Sequence, residues 1–193
     1  MRTAEFDKTF VLRQAMQTFM QFGYSKTSMQ KLTEATGLHP GSIYCAFQNK
    51  KGLLLAAVEQ YQADKRTQMA ELFAQYDNIN DALHAFISKT ILQCGEDESA
   101  QVCLLTKTLT EIEGQDDEVC RVLSGNLNQF ELALQTQLQS AIDNQQLSTN
   151  PDAKTRAQFL VMGIYGLRTL MHTNPCSTAM RSIADELIQH VLR

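Results

Sequence analysis

The sequence has no tryptophan, only three prolines and nine glycines among 193 residues. With so few breakers, long stretches of helix can run uninterrupted. No apolar run approaches the roughly 18 residues a membrane-spanning helix needs. The N-terminal stretch, with Glu5 and Asp7, lacks the basic-then-apolar order of a secretory signal, so a cytoplasmic location is expected. Five cysteines (Cys45, Cys94, Cys103, Cys120, Cys176) are an odd number at wide spacings with no CxxC pair, which fits reduced thiols rather than a disulfide framework or a zinc site. His39, His84, His172 and His190 form no HExxH or other ligand pair. A phosphate-binding glycine loop, a nucleophile elbow and paired carboxylates are all missing. The expectation is therefore no catalytic residue, no metal and no cofactor, and not an enzyme.

What remains reads as helix throughout. No alternating strand pattern persists, and three-four apolar spacing recurs along the chain. The fold class expected is all-α: an N-terminal three-helix unit over residues 1–54 and a larger helical domain over 55–193. Helices are expected at about 5–22, 40–47, 49–76, 81–94, 102–112, 116–146, 152–173 and 177–192, with a short one between Ser28 and Gly37. The net charge of -4 is unevenly spread. Residues 1–66 carry nine Lys or Arg against five acids, leaving the acidic excess to the rest. Such a split suits one end that faces phosphate and one that does not.

The stretch from Gly23 to Leu54 is the most informative. Thr27 and Ser28 are N-cap residues ahead of Met29, Leu32 and Ala35, which repeat one helical face. Gly37 can take the left-handed backbone that stops a helix, and Leu38 plugs the turn. Pro40 restarts a helix, its missing N–H being no loss at the first position. Ile43 and Phe47, four apart, then face inward. Gly41, Ser42, Tyr44 and Cys45 are left facing outward on a helix too short to be buried on both sides.

Gly23, the Thr27-Ser28 pair, Ala35, Gly37-Leu38, Gly41-Ser42-Ile43-Tyr44, Phe47, Lys50 and Leu53-Leu54 at these spacings resemble the N-terminal domain of the TetR family of bacterial transcription repressors. The likeness covers roughly the first 60 residues by motif and the remainder by helical layout. It implies a helix-turn-helix that binds double-stranded operator DNA as a homodimer, with a divergent helical C-terminal domain that takes a small-molecule effector. Two departures bear on the operator sequence: His39-Pro40 stand where many members carry basic or small polar residues, and Cys45-Ala46 replace a more usual aromatic or histidine pair. The DNA-contacting residues expected are Tyr24, Thr27, Ser28, Pro40, Gly41, Ser42, Tyr44, Cys45 and Lys50. Lys50 sits in a first helical turn, where a cation opposes the helix dipole, and the resemblance gives it a phosphate.

In the second domain an apolar effector cavity is expected from Met69, Phe73, Phe86, Cys103, Leu104, Phe130, Met162, Tyr165 and Arg168. Dimerisation is expected on the last two helices through Phe159, Gly163, Gly166, Leu167, Leu170, Met180, Ile183, Ala184, Leu187, Ile188 and Val191. Two alternatives stand beside this reading. Cys103, one helical turn from Lys107, would suit a thiol-based redox or electrophile sensor. A helical protein-interaction module would use the same outward helix on a protein partner.

Overall fold

The computed structural model describes residues 6–89, 116–173 and 177–193. Among them the elements are α1 (Lys8–Phe22), α2 (Met29–Thr36), α3 (Pro40–Phe47), α4 (Lys50–Phe73), α5 (Ile79–Ile87), α6 (Asp117–Asp143), α7 (Ala153–Thr173) and α8 (Ser177–Leu192). No strand occurs among the described residues. The expected helix at 102–112 lies outside the described residues, as do Cys103 and Leu104.

The chain divides into two compact units, Met1–Lys65 with Val102–Asn126 and Arg66–Gln101 with Leu127–Arg193. The division falls eleven residues beyond the expected boundary at 54/55, because α4 runs on without a break: its apolar residues Leu53, Leu54, Ala57, Val58 and Tyr61 are all buried in the first unit. Both α4 and α6 pass from one unit into the other.

In the first unit Val11, Leu12, Ala15 and Phe19 of α1 form its buried face. Leu32, Ile43, Leu53 and Leu54 of the same unit are each fully buried. Asp7 caps α1 through the Phe10 N–H at 3.0 Å. Arg13 of α1 grips Asp64 of α4 in a two-pronged pair, both contacts at 2.8 Å. That guanidinium holds the Asp64 carboxyl below the ordinary carboxylate range.

In the second unit a single apolar cluster draws Met69, Leu72 and Phe73 from α4, Leu83, Phe86 and Ile87 from α5, Leu134 and Leu138 from α6, and the inner faces of α7 and α8. Asn78 caps α5, which therefore starts at Ile79 rather than Asp81. The Asn78 carboxamide oxygen takes the Asp81 N–H at 2.8 Å.

Arg156 on α7 is 2% exposed, and its hydrogen-bond partners among the described residues are neutral oxygens. Its guanidinium donates to the carbonyls of Pro151, Val191 and Ser148 and to the Ser148 hydroxyl. Val191 stands in the last turn of α8, whose unpaired carbonyls carry partial negative charge, so the cation substitutes for a cap. Burial pushes the guanidinium pKa down. Arg156→Met should cost about 2 kcal/mol, because the buried Val191 carbonyl and the part-buried carbonyls of Pro151 and Ser148 lose a donor that no apolar group replaces. Denaturant unfolding measures it, and an unchanged midpoint would show the cap to be idle.

Candidate nucleic-acid interface

The helix-turn-helix is held together by local bonds that the sequence pattern anticipates. Ser28 caps α2, its hydroxyl oxygen accepting from the Lys31 N–H at 3.2 Å. Gly37 adopts φ +70°, the left-handed stop. The Thr36 hydroxyl donates back to the Leu32 carbonyl and accepts from the Leu38 N–H, closing the turn. His39 caps α3: its Nδ1 accepts from the Gly41 N–H at 3.2 Å, so in the neutral ring the proton sits on Nε2. Pro40 occupies the first position of α3, and the helix ends at Phe47 as expected.

This short helix has two unlike sides. Ile43 is wholly buried and Phe47 nearly so. Pro40, Gly41, Tyr44 and Cys45 are exposed, with Ser42 half-buried. Tyr44 leaves 49% of its surface in solvent, unusual for so large a ring. Gly41 is not required by the fold. A Cβ there would meet nothing nearer than His39 Nδ1 at 3.5 Å, so the bare backbone leaves the N-terminal turn of α3 open to a closely approaching ligand.

Three of the expected contact residues are placed otherwise. Thr27 is 1% exposed, and its hydroxyl donates to the Gly23 carbonyl, so its side chain does not face a phosphate. It closes the α1–α2 connection, while Ser28 alone caps α2. Tyr24 is half-buried, its ring 6.0 Å from that of Phe19. Desolvation, and after it the nearby Asp116 carboxylate, push the Tyr24 phenol pKa up. Lys50 points its ammonium inward, to the carbonyls of Tyr24 at 3.0 Å and Thr27 at 3.1 Å.

Next to it, Lys51 is held by Asp116 at 2.7 Å and Glu118 at 2.6 Å. The two carboxylates raise its pKa, and Lys51 with the Val119 N–H lowers that of Asp116. Asp116 also accepts the N–H groups of Glu118 and Val119, opening α6. Its part in fastening α6 to α4 was not legible in advance, since the two residues are 65 apart in sequence. Lys26 was passed over as a site. It is exposed on the α1–α2 connection and makes no hydrogen bond or ion pair among the described residues.

In the second unit Phe73, Phe86 and Phe130 come together, with ring centroids 5.7 and 6.3 Å apart in succession. Met69 joins the same buried cluster, while Tyr165 and Arg168 are half-buried on α7. Met162 does not join the buried cluster: it is 60% exposed. A separate cleft of about 200 Å³ is lined mainly by polar groups around Asp77, Asn78, Ser140 and Asn144, and shares only Phe73 with the expected apolar cavity.

The expected dimer stripe is also divided. Leu167, Met180, Ala184, Leu187, Ile188 and Val191 are buried within one chain. Gly163 admits its own α8, since a Cβ there would fall 2.3 Å from Leu187 Cδ2. Left outward are Phe159, Leu170 and Ile183, together with Met162 and the open Gly166. Among the described residues no helix is long and apolar enough to cross a membrane, and no three His, Cys, Asp or Glu side chains gather as a metal site would need. Cys45 and Cys120 are not joined in a disulfide.

A buried anchor, a glycine stop and a protruding short helix define a helix-turn-helix. Residues 11–57 match the family described as "Bacterial regulatory proteins, tetR family". Residues 80–187 match "Tetracyclin repressor-like, C-terminal domain". The chain belongs to the TetR family of DNA-binding transcriptional regulators. It is 27% identical over 160 residues to the uncharacterized HTH-type transcriptional regulator YezE of Bacillus subtilis, covering 82% of each chain. It is 27% identical over 168 residues to the HTH-type transcriptional repressor ComR of Escherichia coli, covering 86% of this chain and 80% of that one. The fold matches that of the TetR family transcriptional regulator CifR, solved as a cysteine mutant with 26-base-pair operator DNA: TM-score 0.83, 20% identity, 98% of both chains. E. coli NemR in its reduced form has TM-score 0.80 at 18% identity, over 95% of this chain and 94% of that one.

Proposed function

We propose that this chain is a cytoplasmic repressor, without enzymatic activity, that binds an inverted-repeat operator as a homodimer and is released by a small-molecule effector. The observation that carries the reading is the two-sided α3, with Ile43 fully buried and Tyr44 half in solvent. A segment anchored on one side and polar on the other can enter a major groove without disturbing the core. Ser42, Tyr44 and Cys45 then reach base edges or backbone, Pro40 and Gly41 lie against the DNA, and Ser28 faces a phosphate. The repressor sign is supported by ComR, a repressor by its name.

A second copy supports the DNA reading geometrically. One eight-residue helix covers few base pairs, whereas two related by a twofold place their α3 helices in successive major grooves about 34 Å apart. Phe159, Met162, Gly166 and Leu170 recur at spacings of three and four along the outer side of α7, and Ile183 adds to them from α8. These five positions are the proposed dimer face.

The effector enters the second unit beside Met69, Phe73, Phe86 and Phe130, with Tyr165 and Arg168 as polar tips. It binds the DNA-free conformation preferentially, since a ligand with no preference shifts no equilibrium. Because α4 belongs to both units, a change at Met69 or Phe73 is carried along one helix toward Lys50.

A mobility shift on the DNA flanking the gene tests the reading. Sequence-selective binding that weakens with salt is expected, and Tyr44→Ala should lower affinity about tenfold or more. Absence of selective binding at physiological salt overturns it. Unchanged affinity in Tyr44→Ala would favour use of α3 on a protein partner.

A further inference from the structure

Lys50 departs most from the role its position suggests. Its ammonium has three N–H bonds, and two are spent on the backbone carbonyls of Tyr24 and Thr27, 26 and 23 residues earlier. The same nitrogen lies 4.4 Å from the centroid of the Tyr24 ring. A cation resting on a ring face and two carbonyl oxygens is already well solvated by the chain. Turning it outward to a phosphate would strip two charge-assisted hydrogen bonds, leaving the Tyr24 carbonyl with only the long Thr27 N–H contact at 3.4 Å and taking from the Thr27 carbonyl its side-chain donor.

What those bonds hold is the connection between α1 and α2. Thr27 closes it from within through its hydroxyl, Lys50 closes it from the side, and Ser28 at its end caps α2. Lys26 lies inside the segment so fixed, exposed and with no ion pair among the described residues. We propose that Lys50 is a positioning residue of the DNA interface that fixes the α1–α2 connection, and that Lys26 on that connection is the residue that neutralises a DNA phosphate. This rests on the DNA-binding reading and names the division of labour within that same site.

The two roles separate by salt dependence. Each neutralised phosphate adds about 0.9 to the slope of log affinity against log salt, whereas a residue that only shapes the surface changes affinity at every salt concentration equally. Fluorescence anisotropy of the native protein on a duplex selected from genomic DNA, at several potassium chloride concentrations, gives both quantities. Lys26→Gln should reduce the slope by about 0.9 for each chain on the DNA. Lys50→Met should lower affinity about tenfold or more with the slope unchanged, and Lys50→Arg, able to donate to both carbonyls, should recover most of the loss.

A slope reduced in Lys50→Met as much as in Lys26→Gln overturns the proposal, and so does an unchanged slope in Lys26→Gln. Hydrogen exchange reads the positioning role without DNA. Amides of residues 24–28 should exchange about tenfold faster in Lys50→Met while those of α3 keep their wild-type rates, and equal rates at 24–28 overturn it. Should Lys50→Met fail to fold, Lys50→Gln carries the same readings, since its shorter amide cannot reach both carbonyls. If the wild-type protein selects no DNA at all, the functional reading fails, and the exchange data still decide whether Lys50 positions the connection.

Discussion

A protein carrying Met162→Glu and Leu170→Glu together should sediment as a single 21.7 kDa chain and lose operator affinity about a hundredfold or more. Both side chains are exposed on the outer side of α7, 60% and 41%, so the chain itself does not need them to fold. Against a second copy related by a twofold, the two substitutions bring four carboxylates into an apolar contact, and each ionised group costs several kcal/mol when taken out of water without a partner. Loss of the dimer removes the gain from engaging two half-sites at once, which accounts for the size of the expected effect. Retention of the dimer would place the interface on another face. A monomer with undiminished affinity would remove dimerisation from the mechanism.

Gly52→Ala is expected to destabilise the first unit by about 3 kcal/mol or more, beyond the usual range for one added methyl, and to abolish DNA binding at 37 °C. A Cβ at this position would lie 2.0 Å from the Phe47 carbonyl oxygen, and the obstacle is backbone, which cannot rotate away. The corner between α3 and α4 is already tight: Gln48 has φ +67°, a region that favours glycine, and the Asn49 side chain accepts the Gly52 N–H at 2.8 Å. Relief would need α3 to move away from α4, shifting Tyr44 and Ser42 together. Thermal unfolding of the first unit and operator affinity check the two parts. A midpoint within 2 °C of the wild type would show that the corner has slack.

The bounds of α3, 40 to 47, were legible because two local rules coincide there, Gly37 stopping one helix and Pro40 starting the next. Periodicity also identified Ile43 and Phe47 as anchors. It could not say which neighbour covers an apolar stripe. On α8 the residues Met180, Ala184, Leu187, Ile188 and Val191 turned to their own chain, and only Ile183 stayed outward. Thr27 and Lys50 were misplaced for a related reason: residue type indicates what a side chain can donate or accept, and the partner, here a carbonyl 23 or 26 residues away, is fixed only in three dimensions.

Two overlooked residues did leave a signal. Arg156 stands between Ala153, Ala157 and Leu160 on the inward face of α7, where an unpaired cation is out of place unless it binds carbonyls. Gly52 occupies the first turn of a helix, where glycine costs about 1 kcal/mol relative to alanine and so points to a close contact.

Hydroxyl-radical footprinting of the native protein on its selected duplex tests most directly whether two copies of α3 read DNA. Two symmetric protected segments on an inverted repeat, centred about 10 base pairs or a multiple apart, are the predicted result. A single unsymmetric segment, or no protection at concentrations that saturate binding, would contradict the account.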